Sequence, residues 1–207
     1  MTAPEPLPTD ALVALPCARD AVPPVLQVRT TLLTSSLDAL REHGFADRYF
    51  DHLPAGHHAT MRSLVAGQWA PVELALTHYR ACDAMGLGPD ELERVAAGVG
   101  HRVRGTFLGA LVRASQAVGV TPWTALGHYG RVWGRLFLGG APAVFRLGPS
   151  EAQLELHGLP LCGISYCRES VHHLHSGVLL LFCKRLHFRE VPRLCGPTSL
   201  AARVRWG

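Results

Sequence analysis

The sequence has few charged residues and almost no lysine. Asp, Glu, Lys and Arg together make up 17% of the 207 residues, and Lys184 is the single lysine among 20 basic residues. The arginines are scattered rather than gathered in a run or stripe, so the net charge of +4 does not predict a nucleic-acid-binding face. With 48% hydrophobic residues, the composition is typical of a globular protein, and the length fits one domain.

Long apolar segments are also lacking. The longest uninterrupted apolar run, Val178 to Cys183, is far shorter than the roughly 20 residues that cross a bilayer. The first eighteen residues contain no Lys or Arg and are interrupted by prolines, which is unlike a secretory signal. Six unevenly spaced cysteines do not resemble the disulfide framework of a small secreted domain. We therefore expect no membrane span and a cytoplasmic protein with reduced thiols.

Motifs of enzyme chemistry are missing as well. The sequence contains no nucleophile elbow, P-loop or dinucleotide fingerprint. Glu91 and Glu93 are close carboxylates, but they fall in the first turn of a predicted helix, where acids complement the helix dipole. We therefore expect a non-enzymatic protein. That expectation would need revision if a deep polar cleft brought His128, Arg131 and Glu73 together.

The chain divides into a Pro-rich segment, a helical part and a mixed part. Residues 1–24 are predicted to form a tail that docks loosely or not at all, ahead of a single domain over residues 25–207. Within residues 34–140 the apolar side chains recur at near-helical spacing. Residues 142–207 contain four predicted strands and one long helix. This order predicts an α+β fold, with a helical N-terminal layer packed on a small four-stranded antiparallel sheet.

The longest helix is predicted from about Pro89 to Val118, and it is rich in glycine and alanine. Within residues 97–114 the small side chains recur on neighbouring turns. Each glycine weakens an isolated helix by about 1 kcal/mol, so their presence indicates close packing of another helix. We predict a homodimer through this Gly/Ala-rich helix.

A stretch rich in Cys and His surrounds the most apolar run of the chain. Residues 168–187 are predicted to form one buried helix, on which four side chains share a face: His172, His175, Leu179 and Cys183. Imidazole and thiolate groups on one face are the donors that a transition metal or a haem requires. Packing in the core explains the same pattern, because Cys is among the most buried residue types. As pocket candidates we name this face together with Trp133 and Phe137.

The C-terminal part carries a recognisable order of short motifs. A Gly-bearing helix in "YCRESVHHLHSGVLLLFCKRLHF" precedes the strand end "REV", Cys195, the turn "GPTS" and the last strand "AARVRW". This order resembles the superfamily of the 4-vinyl reductase domains, the haem nitric-oxide-binding sensors and the TRAPP vesicle-tethering subunits. The segments "GVTPW" and "LFLGG" and the terminal Arg-x-Arg-Trp are also similar to a family of proteins of about this length abundant in myxobacteria.

The resemblance implies a hydrophobic cavity between the helices and the sheet, able to hold a lipid-like or small aromatic molecule. Two departures limit what can be carried over. Ala201 or Ala202 stands where the 4-vinyl reductase domains have a second cysteine, so Cys195 lacks the expected partner. The Tyr-x-Ser-x-Arg signature that holds the haem propionates in the haem sensors is absent from the sequence.

From these observations we expect a ligand-sensing or protein-interaction module without a cofactor or a metal. The ligand is expected to be small and hydrophobic, and the sequence does not identify a protein partner. The alternative is a haem- or zinc-binding sensor that uses His172, His175 and Cys183.

Overall fold

The structure, a computed structural model, describes residues 10–107 and 121–207, and for residues 100–107 only the backbone. The helices are α1 (Thr30–Glu42), α2 (Ala46–His52), α3 (His58–Arg62), α4 (Val72–Ala84), α5 (Pro89–Phe107), α6 (Pro122–Gly127), α7 (Tyr129–Leu136) and α8 (Ser165–Leu179). The strands are β1 (Ala11–Val13), β2 (Gln27–Arg29), β3 (Trp69–Pro71), β4 (Phe137–Leu138), β5 (Ala141–Gly148), β6 (Glu151–His157), β7 (Leu186–Glu190) and β8 (Ser199–Trp206).

The main sheet is antiparallel and has the strand order β1-β5-β6-β8-β7. The four predicted strands are present, and the hairpin β5–β6 turns at Pro149 and Ser150 as the alternating pattern indicates. The α+β class is therefore confirmed, but the predicted strand number is wrong. The fifth strand, β1, comes from the N-terminal segment and pairs with the outer edge of β5.

A second, three-stranded sheet has the order β3-β2-β4. Each of its strands has two or three residues, which is too short for an alternating pattern to reveal it. This sheet joins the start of α1, the start of α4 and the end of α7, and so positions these helices over the main sheet.

The core lies between the helices and one face of the main sheet. Leu154, Leu156 and Val204 point from the strands into this core, because successive side chains of a strand face opposite sides. Helix α8 packs against α4 and α5 and also contacts β7. It therefore lies between the helical layer and the sheet.

Helix α8 is shorter than the sequence suggests. We expected a continuous helix over residues 168–187, but it ends at Leu179 and residues 180–185 turn back towards the sheet. The reason is tertiary: Leu186–Glu190 pairs with β8 as strand β7, and an antiparallel partner requires the chain to reverse direction first. The apolar run after Leu179 has a helical pattern that this pairing overrides.

Residues 10–25, which we name the N-terminal strap, add β1 to the edge of the main sheet and then bring Arg19 to Glu155 on the outer face of β6. The expectation that residues before 25 dock loosely is wrong for the strap. Arg19 donates two hydrogen bonds to the fully buried Glu155 of β6, at 2.6 and 2.8 Å. Gln153 and His157, also on β6, donate to the same carboxylate at 2.6 and 2.8 Å. The division into a tail and one domain stays a prediction.

The strap passes close to three glycines with positive φ, Gly139, Gly140 and Gly158, of which the last two illustrate the contact. At Gly158 (φ +71°) a Cβ would lie 2.4 Å from the Pro23 carbonyl oxygen, and at Gly140 (φ +61°) it would lie 2.7 Å from Val25 Cγ2. Glycine is required at both positions because an L side chain is strained at this φ and would collide with the strap. Val25 then donates its backbone N–H to the Gly158 carbonyl at 2.7 Å.

The homodimer is predicted to form through the Gly/Ala-rich part of α5. Helix α5 is described to Phe107, and the side chains of the predicted dimer interface beyond Val99 lie outside the described residues, so the homodimer stays a prediction.

In the described ranges, every helix is too short or too polar to cross a membrane.

Candidate functional site

An apolar cavity of about 160 Å³ lies between the helical layer, α8 and the inner face of the sheet. Its wall is formed mainly by aliphatic and aromatic side chains, among them Leu126, Val132, Leu156, Leu174 and Val178. Such a volume is close to that of an engineered apolar cavity of about 150 Å³ that holds benzene. The cavity predicted between the helices and the sheet is therefore present in the fold.

His175 of α8 is a buried imidazole in the cavity wall. Its Nδ1 lies 2.6 Å from the carbonyl oxygen of Val171, one helical turn earlier. A carbonyl can only accept a hydrogen bond, so Nδ1 carries the proton and Nε2 carries the lone pair. Burial lowers the pKa of His175 to about 4, so the ring is neutral at pH 7.

Tyr129 of α7 is the hydrogen-bond partner of His175. Its hydroxyl donates to His175 Nε2, and the two ring centroids lie 5.2 Å apart. Burial raises the pKa of Tyr129 well above its usual value, so the phenol keeps its proton. An apolar cavity thus contains one neutral hydrogen-bonded pair.

Three further pocket candidates also line the cavity. Leu179 lies one turn beyond His175, and the rings of Trp133 and Phe137 pack at an interplanar angle of 36° with centroids 4.4 Å apart. The Trp133 indole N–H donates to the Gly139 carbonyl at 3.0 Å, so its polar atom is satisfied outside the cavity. Whether these side chains contact a ligand stays a prediction.

His172 and Cys183 lie away from the cavity. His172 faces β7, where its Nε2 lies 3.3 Å from a Glu190 carboxylate oxygen in an orientation that makes no hydrogen bond. Glu190 instead accepts a hydrogen bond from Arg168 at 2.6 Å. Cys183 lies in the turn after α8, and its thiol donates a hydrogen bond to the Leu179 carbonyl at 3.4 Å. The shared helical face expected for these side chains does not form, because α8 ends before Cys183.

The predicted set of His172, His175 and Cys183 therefore does not converge on one point. Across residues 10–107 and 121–207, no three His, Cys, Asp or Glu side chains are positioned to hold a metal ion. The residues whose convergence in a polar cleft would have indicated an enzyme, His128, Arg131 and Glu73, all lie outside the cavity wall.

The cysteines are free thiols. Burial raises the pKa of Cys162 to about 12 and that of Cys167 well above its usual value, so both stay protonated at neutral pH. Cys195 has no cysteine partner, and its sulfur contacts the backbone N–H of Ala201 at 3.4 Å. These contacts fit packing roles.

Sequence reasoning did not single out Tyr129 as a site residue. It shares a helical face with Trp133, four residues later, which identifies it as an inward-facing residue. Its partner His175 is 46 residues away along the chain, and no local pattern connects the two.

Comparisons with known proteins address the fold. No protein-family model and no curated protein matches the chain. Among solved structures, an Fe(II) unliganded H-NOX protein from K. algicida has a TM-score of 0.64 at 9% identity, over 86% of this chain and 96% of that one. An oxygen-binding H-NOX domain related to soluble guanylate cyclases has a TM-score of 0.57 at 12% identity, over 86% and 94%. A point mutant of the T. tengcongensis H-NOX protein has a TM-score of 0.58 at 13% identity, over 86% and 97%.

These matches correct one expectation. We expected no cofactor, but the matched structures come from a haem-binding family. One of them, with a TM-score of 0.58, was determined to probe haem distortion in H-NOX proteins. The expectation of no cofactor is therefore wrong. Of the superfamily suggested by the C-terminal motifs, the haem-nitric-oxide-binding branch is the one these structures support. The chain has the fold of the H-NOX domains.

Proposed function

We propose that this domain is a sensor that binds haem in the apolar cavity, with His175 as the residue that would bind the iron. The observation that carries the proposal is the state of His175. His175 and Tyr129 both line the cavity; the Nε2 lone pair of His175 accepts a hydrogen bond from the Tyr129 hydroxyl, and its Nδ1–H is held by the Val171 carbonyl at 2.6 Å. Metal-binding histidines are commonly oriented in this way, with the second ring nitrogen donating to a carbonyl or carboxylate.

The electrostatics of the cavity fit such a ligand. An imidazole must be neutral to bind iron, and burial lowers the pKa of His175 to about 4, so no proton has to leave at pH 7. The apolar wall suits a porphyrin ring. When bound, haem supplies an iron position at which a small gas molecule can coordinate.

Two features must change when haem enters. A porphyrin is several times larger than benzene, so the helical layer and α8 must separate to admit it into a cavity of about 160 Å³. Arg168 is a basic side chain in the described part of the wall, and it pairs with Glu190 at 2.6 Å, so a haem propionate would compete with Glu190 for it. These rearrangements predict slow haem uptake by the folded protein.

The test is a titration of the purified protein with haemin, followed by absorption spectroscopy. We expect a shifted Soret band that saturates at one haem per chain. His175→Ala should abolish the shift, whereas His172→Ala should retain it, because His172 lies one turn away on the same helix but outside the cavity. An unchanged haemin spectrum, or equal spectra for the two variants, would contradict the proposal.

A second candidate is a sensor of a small aromatic molecule, and the size of the cavity favours it. A volume of about 160 Å³ accepts one aromatic ring without any rearrangement. This candidate predicts that indole or benzene raises the Tm of the wild type but not of a Val178→Phe variant, whose larger side chain fills part of the cavity. A rise in Tm with indole, together with an unchanged haemin spectrum, would select it over haem.

A further inference from the structure

The outer face of the main sheet has two different halves. The half formed by β5 and β6 lies under the N-terminal strap, where Arg19 neutralises Glu155. On β8 and β7, in contrast, four outward side chains are basic and exposed: His187, Arg189, Arg203 and Arg205. We call these four residues the basic face.

The strand register brings these basic groups together. Arg189 lies directly opposite Arg203, and His187 lies directly opposite Arg205. Directly opposed residues are about 5 Å apart, and like charges in such pairs destabilise a sheet. Glu151 neighbours Arg205 on β6 without forming an ion pair with it, and no described residue forms an ion pair with any of the three arginines.

Strand β7 is also an open edge. It ends the order β1-β5-β6-β8-β7, and β8 is its only strand partner in the described ranges. The opposite edge strand is β1, which has only three residues (Ala11–Val13) and so offers a much shorter edge than β7. An edge strand presents unpaired N–H and C=O groups, to which an extended peptide can add by β-strand pairing.

We propose that β7 and the basic face bind an extended acidic segment of a partner protein, which pairs with the edge as an additional strand. Alternate residues of a strand face the same side and lie about 7 Å apart. A segment with acids at every second position would therefore place them opposite His187 and Arg189. Arg203 and Arg205 on β8 lie one strand further from the edge and add to the positive electrostatic potential at the acids of the segment.

Charge distinguishes this partner from other occupants. A second copy pairing through β7 would add another set of arginines to the same face, which opposes self-association. Nucleic acid is disfavoured because only three arginines lie on this face and no aromatic side chain stands among them for base stacking. A lipid surface is disfavoured because the exposed side chains of the basic face include no apolar group to insert.

The edge strand is in contact with the cavity wall. The ring of Phe188, on the inner side of β7, lies 5.2 Å from the His172 ring and 6.0 Å from the His175 ring. A partner bound at β7 would thus lie one side chain away from His175. The docking surface itself does not depend on haem.

The test uses a ten-residue peptide of alternating Glu and Thr and an isomer with five Glu followed by five Thr. Binding to the full chain is measured by fluorescence anisotropy at low ionic strength. We expect the alternating peptide to bind more tightly than the isomer. Arg189→Glu with Arg203→Glu should weaken that binding by about tenfold or more, because two attractive charges become repulsive. Arg80→Glu with Arg94→Glu changes the net charge equally at two exposed helical positions and should change binding by less than about twofold.

Hydrogen exchange then tests the mode of binding. Strand pairing should slow exchange of backbone amides in Leu186–Glu190, whereas a peptide lying flat on the side chains would not. If the double Glu variant does not fold, Arg189→Gln with Arg203→Gln replaces it. Equal weakening by both charge reversals, no preference for alternation, or unprotected β7 amides would overturn the proposal. Dimerisation through β7, or tighter binding of single-stranded DNA or anionic vesicles to the same arginines, would also overturn it.

Discussion

The hydroxyl of Tyr129 donates a hydrogen bond to Nε2 of His175 inside the apolar cavity. The same nitrogen is the one that would bind the iron of a haem. The phenol therefore satisfies a buried acceptor in the free protein and must move away when a ligand binds to it. This pair links the stability of the fold to the occupancy of the site.

Replacing Tyr129 by Phe separates these two roles. The variant leaves the buried Nε2 without a donor, so we expect the free energy of unfolding to fall by about 1 to 2 kcal/mol. Under the haem proposal, its affinity for haemin should rise, because no phenol competes for the nitrogen. Denaturant titration and haemin titration measure the two effects.

Tyr79→Phe is the matched control for this change. Tyr79 also lines the cavity, but its hydroxyl makes no hydrogen bond within residues 10–107 and 121–207. The free energy of unfolding and the haemin affinity of this variant should therefore stay near those of the wild type. A Tyr129→Phe variant with reduced haemin affinity would show that the phenol assists binding instead of competing with it.

The ion pair between Arg19 and Glu155 should stabilise the attachment of the strap. Glu155 is fully buried, so Arg19→Ala leaves a buried carboxylate without its guanidinium and with hydrogen bonds from Gln153 and His157 alone, and we expect a loss of about 3 kcal/mol in the free energy of unfolding. The double variant Arg19→Ala with Glu155→Gln removes that charge and should recover part of the loss. Thermal and denaturant unfolding provide the measurement; additive effects of the two changes would contradict a coupled pair.

The same carboxylate predicts how stability depends on pH. Burial alone would raise the pKa of Glu155, but the hydrogen bonds from His157, Arg19 and Gln153 outweigh burial and lower it to about 2. Since this pKa lies below the ordinary value of 4.5, the network stabilises the fold above pH 4.5 and loses its contribution as the pH falls towards 2.

Comparison with Glu155→Gln isolates this contribution. The wild type should lose more stability than the variant between about pH 4.5 and pH 2. Parallel stability curves for the two proteins over that range would show that Glu155 does not have a lowered pKa.

Gly140 should not tolerate a side chain. A Cβ at this position would lie 2.7 Å from Val25 and 2.9 Å from the His157 carbonyl oxygen, at a φ of +61°. We expect Gly140→Ala to cost more than about 2 kcal/mol, from backbone strain and overpacking together. Gly44→Ala is the control: its φ is +76° but its Cβ would meet no atom within 4 Å, so it should cost about 1 kcal/mol. Equal losses would mean that the strap can shift away.

Local patterns predicted the parts of the fold that depend on local interactions. The hairpin β5–β6 follows from alternation on both sides of a Gly-Pro-Ser turn, and the His175 helix from helical spacing. The end of that helix was not predictable, because Leu180 to Cys183 continue the apolar pattern and only the pairing of β7 with β8 stops it. Helical and strand patterns of short apolar runs are too similar for sequence alone to distinguish them.

The candidate site was predictable only as a set of residues. His175, Leu179, Trp133 and Phe137 were named because they lie on apolar helix faces, and the structure places them in the cavity wall. His172 was named for the same reason but faces β7 instead, because the end of α8 and the position of the sheet decide which face meets the cavity.

By itself, the sequence determined the α+β class, the central hairpin and the presence of a helix rich in Cys and His, because turn residues and periodicity act over a few neighbouring positions. The tertiary structure alone decided that Tyr129 meets His175 and that Arg19 reaches Glu155, 136 residues away. Contacts at such separations depend on how complete elements pack. Their partners are therefore selected by burial and hydrogen-bond satisfaction in the folded chain, for which the linear sequence carries no local signal.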